Sequence, residues 1–113
     1  MSKIEINGMA HVILTVTRFS KAREFYKSIL PKFGMTCVMD GKDFCYHVGG
    51  RTAIGIRRCD PEFKRESFKQ YRVGLHHLCL RAKSREDVDR TYDLLSKIEA
   101  KVCLLYTSPS PRD

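Results

Sequence analysis

Between Met9 and Val16 the chain alternates: Ala10, Val12, Leu14 and Val16 share one face, and His11, Ile13 and Thr15 share the other. A period of two is that of a strand covered on one side. Beyond it the period changes. Ala22, Phe25, Tyr26, Ile29 and Leu30 fall at helical spacing, so a helix is predicted with Ser20 as its cap, a stop at Pro31 and a turn at Gly34. Strand spacing then returns three times, over Met35–Met39, Phe44–Val48 and Thr52–Arg57. Asp40-Gly41 and Gly49-Gly50 supply the turns, and Ile54 and Ile56 the buried face of the last strand. The predicted order is βαβββ.

After a charged connector from Arg58 to Val73 the pattern starts again. Leu75–Ala82 reads as a strand, and Ser84-Arg85-Glu86-Asp87 has the form of a capping box. The helix behind it would turn Val88, Thr91, Tyr92, Leu95 and Ile98 inward. This restart is a repeat: His11-Val12-Ile13-Leu14, closing on Tyr26, matches His77-Leu78-Cys79-Leu80, closing on Tyr92, at a constant offset of 66 positions. The second copy breaks off after Ala100-Lys101-Val102. Residues 103–113 follow neither period, and codon by codon they match the translation of a transposase sequencing adapter. The expected organisation is a first βαβββ module and connector over 1–72, a truncated second module over 73–102, and a non-native adapter-like tail over 103–113. On this reading the chain is a fragment.

Composition narrows the class. With 113 residues, 42% hydrophobic and 30% charged, the chain suits one small soluble domain. It contains no apolar run of the roughly 20 residues a membrane helix needs, and Met-Ser-Lys-Ile-Glu-Ile lacks the apolar stretch of a secretory signal, so none is expected. A cytoplasmic location and no membrane partner are expected. Cys37, Cys45, Cys59, Cys79 and Cys103 form no CxxC pair, so they are expected as reduced, mostly buried thiols rather than a disulfide framework or zinc knuckle. The formal charge is +8, densest at Arg57, Arg58, Lys64, Arg65, Lys69 and Arg72. Asp60, Glu62 and Glu66 interrupt that patch, so a solvated surface or the steering of a small anion is expected in place of nucleic-acid binding.

The chemistry is carried by two histidines. A helix packed on its own sheet covers the face of Val12, Leu14 and Val16, which leaves His11 on the opposite face with Ile13 and Thr15. By the same count Leu78, Leu80 and Ala82 face the second helix and His77 does not. Two modules paired through their uncovered faces would bring His11 and His77 toward one concave interior. Imidazole is the commonest transition-metal ligand side chain. His76, on the covered face, and His47, which has no counterpart in the repeat, are read as structural.

A strand bearing Ala-His-Val-Ile-Leu-Thr-Val, then Ser-Lys-Ala-Arg-Glu-Phe-Tyr-Lys-Ser-Ile-Leu-Pro-Lys-Phe-Gly, then Gly-Leu-His-His-Leu-Cys-Leu-Arg-Ala-Lys-Ser-Arg-Glu-Asp-Val-Asp, resembles the vicinal oxygen chelate superfamily. That group includes glyoxalase I, fosfomycin and bleomycin resistance proteins and extradiol dioxygenases. The resemblance covers about residues 8 to 102. It implies an α+β fold, a glyoxalase-like βαβββ module followed here by the β-α opening of a second. It also implies one divalent metal, Mn, Fe, Ni or Zn, held by residues matching His11 and His77 and by a Glu from the last strand of the second module, which this chain lacks. Four-ligand members add a carboxylate on the fourth strand, where Thr52-Ala53-Ile54-Gly55-Ile56-Arg57 has none. Two His plus one Glu are therefore expected.

The implied activity is that of a lyase, isomerase, transferase or dioxygenase, with the metal acting as a Lewis acid on a small substrate that offers adjacent oxygens. The fragment alone is expected to be inactive. The alternative is a metal-free small-molecule-binding protein of the bleomycin-resistance type. Homodimer formation is compatible with either. No residue stands out as a general base.

Overall fold

The computed structural model describes residues 2–100. The adapter-like tail, Cys103, Lys101 and Val102 lie outside the described residues. Two compact units divide the chain, Met1–Phe68 and Lys69–Asp113, and each is taken by itself below.

In the first unit β1 (Val12–Val16) leads into α1 (Phe19–Ile29), a 3-10 turn (Leu30–Phe33), and the strands β2 (Thr36–Asp40), β3 (Phe44–Gly49) and β4 (Thr52–Arg58). The sheet order is β1-β4-β3-β2. Thus α1 carries the chain to the far edge, the two hairpins bring it back, and β4 closes in parallel against β1, pairing Val12 with Ile54 and Leu14 with Ile56. As the strand between β1 and β3, β4 has its hydrogen-bonding groups taken on both edges. Ala53 to Ile56 are buried in succession: Ile54 and Ile56 share the face of the core, and Gly55, on the other face, is covered by the side chains of Ile13, Phe44 and Tyr46.

Phe19, Cys45 and Ile56, each 1% exposed, form the centre of the core, and Leu14, Val16, Ala22, Tyr26 and Cys37 pack around them. The face of β1 expected to be covered therefore is covered. Its edges tie in through Asp40, which pairs with Arg23 at 2.6 Å and Lys27 at 2.5 Å, both on α1. Arg58, one of the basic residues that raised the nucleic-acid question, donates to Asp43 at 2.9 Å and lies over the Phe19 ring at 5.0 Å.

The start of α1 departs from expectation. Its cap is Arg18, no side chain caps it, and Ser20 is already inside the helix. Phe19 explains the shift, because burying that ring under the sheet requires the first turn to begin at residue 19. Pro31 ends α1 as expected but opens the 3-10 turn, which Gly34 closes in the left-handed region at φ 82°. Gly50 and Arg51, at φ 61° and 64°, make the β3–β4 turn. Positive φ at both central residues is the hallmark of the type I′ hairpin turn, whose twist suits the flanking strands.

In the second unit α2 (Arg85–Lys97) begins as predicted: Ser84 is the cap, and its hydroxyl accepts from the Asp87 amide at 3.1 Å. Residues 75–82, expected as a strand, are not paired into any sheet among the described residues. A strand needs a neighbour to take its N–H and C=O groups, and this unit offers none in that range. For the same reason Val88, Tyr92 and Ile98 of the expected inner helix face remain exposed, while Thr91 and Leu95 are partly buried.

Candidate functional site

The first sheet has two chemically different faces. On the one α1 leaves uncovered, the register places Ile13, Gly55 and Tyr46 in one row across β1, β4 and β3. His11 directly precedes β1, is exposed, and meets the edge of the Tyr46 ring at 6.3 Å between centroids. Tyr46 in turn stacks on Phe44 at 5.7 Å. Gly55 makes this floor fit: a Cβ there would lie 2.8 Å from Tyr46 Cδ1, 3.2 Å from Phe44 Cζ and 3.3 Å from Ile13 Cγ1. The uncovered face thus presents an imidazole beside an apolar and aromatic surface, a combination that suits a small ligand with a polar end. Among the described residues no protein group hydrogen-bonds the His11 ring, which leaves its nitrogens available.

His77 lies in the second unit and is exposed. Its Nδ1 is 2.6 Å from Nδ1 of His76, which also lies 3.3 Å from Gln70 Nε2. A neighbour on Nδ1 fixes the ring orientation and leaves Nε2 free, the arrangement usual for a metal-ligating histidine. His76, expected to be buried against the helix, is instead exposed, packed against Tyr71 at 5.1 Å. Without a sheet across residues 75–82 there is no covered face to receive it.

The covered face carries a second group of donors. Cys45 and His47, two apart on β3, point into the core, and Cys37 on β2 is the direct register partner of His47. The ligand atoms of the three lie within 4.8 Å of one another. Burial pushes the Cys45 thiol up to about 11, with Cys37 adding to the effect. Burial also lowers the His47 pKa, aided by the nearby Lys27 charge, so the imidazole is held neutral. His47 is 1% exposed, yet its Nε2 has no hydrogen-bond partner among the described residues. Leaving a buried polar atom unpaired costs about 1–3 kcal/mol. His47 is placed in the core, a position the sequence pattern did not indicate, and it is not a satisfied core residue.

Sequence reasoning missed this cluster because it followed the apolar residues of β3. The alternation Phe44, Tyr46, Val48 marks the uncovered face, and the intervening Cys45 and His47 fill the core. Of the four cysteines among the described residues, Cys45 and Cys59 are buried, Cys37 is half-buried, and Cys79 is exposed, contrary to the general expectation of burial.

Solved structures share this fold. A candidate glyoxalase from Bacillus halodurans superposes with a TM-score of 0.73 at 24% identity, over 80% of this chain and 68% of its own. Lactoylglutathione lyase from Agrobacterium tumefaciens gives 0.57 at 18% identity, over 83% and 72%. A bleomycin resistance determinant encoded on transposon Tn5 gives 0.50 at 13% identity, over 96% and 74%. No curated protein matches the chain. The α+β architecture, with its mixed four-stranded sheet, is that of these neighbours, and the match over residues 8–102 shows that the chain belongs to the Glyoxalase/Bleomycin resistance protein/Dioxygenase superfamily.

Proposed function

We propose that the uncovered face of the first sheet is half of a metal-dependent active site, with His11 and His77 as two ligands of one divalent ion. The observation that carries this reading is the position of His11, at the head of β1, without a hydrogen-bond partner among the described residues and beside the floor built by Ile13, Phe44 and Tyr46. The residues fit the group. Each histidine offers a free imidazole nitrogen, and the one on His77 is oriented through His76. Bound there, the ion would supply Lewis-acid polarisation of adjacent substrate oxygens. The apolar floor would receive the rest of a small substrate and keep water from the reacting end. The third ligand is proposed to be a Glu of a complete second module, and the protein an enzyme of the lyase, isomerase, transferase or dioxygenase kind, acting in the cytoplasm, with homodimer assembly compatible.

The test uses a protein extended through a complete second module. His11→Ala and His77→Ala should each abolish stoichiometric binding of Mn, Fe, Ni or Zn at the uncovered face. Metal content unchanged in both variants would overturn the proposal and favour a metal-free binding protein, in which the same face holds a small molecule through its aromatic floor. Without that extension, residues 1–113 are expected to show no catalytic turnover.

A further inference from the structure

We propose that Cys37, Cys45 and His47 form a second metal site, selective for a zinc-type ion, on the helix-covered face of the first sheet. It shares no residue with the His11 and His77 pair proposed above, and its three donors all lie on β2 and β3.

Three features of the β2–β3 hairpin support it. Residues two apart on a strand share a face, so Cys45 and His47 project together, and the register sets Cys37 across from His47 on the adjacent strand. Three donors from two neighbouring strands thereby converge without any loop. The pairing then slips between Cys37 and Met39, so that Met39 faces Tyr46 and Asp40 faces Cys45. Such a bulge re-aims the side chains beside it, and this one adjoins Cys37. The donor atoms already lie within 4.8 Å of one another. A tetrahedral ion with sulfur at about 2.3 Å needs sulfur–sulfur separations of about 3.8 Å, so the adjustment required is about an ångström or less.

His47 separates this cluster from ordinary buried thiols. A buried cysteine behaves as a small apolar residue and requires no partner. A buried imidazole does, and Nε2 of His47 is sealed from solvent with none. Coordination would satisfy it.

The donor chemistry selects the ion. Two thiolates and one imidazole are soft and borderline ligands, suited to Zn(II) and unsuited to Mg(II), Ca(II) or Mn(II), which prefer oxygen. Binding releases one proton from each thiol to solvent and leaves a site with no net charge, which the apolar surroundings tolerate. No electrons are transferred. Three protein donors leave a fourth tetrahedral position for water or a small anion, and Cys37, the half-buried member, marks the side nearest solvent.

The test is titration of the reduced, metal-free 113-residue chain with Co(II), followed by Zn(II). Saturation at one equivalent is expected, with thiolate-to-cobalt charge-transfer absorption and tetrahedral visible bands that Zn(II) abolishes. Cys37→Ser and His47→Asn should each weaken binding by at least tenfold. A Cys79→Ser/Cys103→Ser double variant and a His11→Ala/His77→Ala double variant should keep the spectrum, which separates this site from the one proposed above. Should the buried variants not fold, alkylation of the unaltered chain decides, since Zn(II) should protect the half-buried Cys37 and leave the exposed Cys79 reactive. Absence of the charge-transfer band, its persistence in both single variants, or equal labelling with and without Zn(II) would overturn the proposal. So would isolation of a Cys37–Cys45 disulfide whose reduced form takes up no metal.

Discussion

Gly49, the last residue of β3, packs against the chain entering β2 so closely that a single methyl group should unsettle the hairpin. A Cβ at this position would stand 2.6 Å from the carbonyl oxygen of Gly34 and 2.8 Å from Cα of Met35. Both are backbone atoms that no rotamer change can move. Gly34 is itself fixed as the left-handed cap of the 3-10 turn, and Met35, 6% exposed, is part of the core. Relief therefore means pushing β3 away from the start of β2 by about half an ångström or more. Overpacking of this kind costs typically about 1–3 kcal/mol, and a rigid backbone obstacle argues for the upper end. Replacing glycine returns about 0.4–1 kcal/mol by restricting the unfolded chain, so Gly49→Ala should lose about 2 kcal/mol net. A unit of this size is stable by about 3–10 kcal/mol, and with a urea slope near 1 kcal/mol/M the midpoint should fall by about 2 M. Gly41→Ala is the matched control, because its Cβ would lie 3.6 Å from the Phe44 carbonyl, an ordinary contact. Urea titration followed by far-UV circular dichroism should separate the two. A Gly49→Ala midpoint within about 0.5 M of the control would refute the steric reasoning.

Two further outcomes follow from single contacts. Ser84→Ala removes the oxygen that accepts from the Asp87 amide and should cost α2 about 1 kcal/mol, read as faster amide exchange over residues 85–88; unchanged exchange would refute the cap. Asp40 is held below its usual carboxylate pKa, first by the hydrogen bond from Lys27 and then by the Arg23 and Lys27 charges, against some opposing desolvation. Its folded pKa is depressed, so its contribution is present above about pH 4 and lost as pH falls through the folded value. Between pH 4 and 2 the unaltered chain should lose stability more steeply than Asp40→Asn in acid titrations monitored by circular dichroism, and parallel curves would exclude the clamp.

What was legible in the sequence was whatever depends on neighbours along the chain. Period two placed β1 and the helix-covered face of Val12, Leu14 and Val16; helical spacing placed α1; Gly49-Gly50 marked the β3–β4 turn to within one residue of its place at Gly50 and Arg51; Ser84 and Asp87 marked a cap that a three-residue reach can close. The repeat, too, is a local pattern met twice, and with the motifs around His11 and His77 it sufficed to indicate the superfamily. Long-range contacts decided the rest. Ser20 is as good a local cap as Ser84, yet α1 starts earlier because the Phe19 ring finds its place under the sheet. Leu75–Ala82 has the alternation of a strand, but alternation supplies side chains for two faces and no partner for the backbone. On β3 the sequence showed three apolar residues, Phe44, Tyr46 and Val48, without revealing that they line the uncovered face. Only the register of β2 on β3, shifted by a bulge that no local signal announced, places Cys37 opposite His47 and brings two thiols to an imidazole left unpaired in the core.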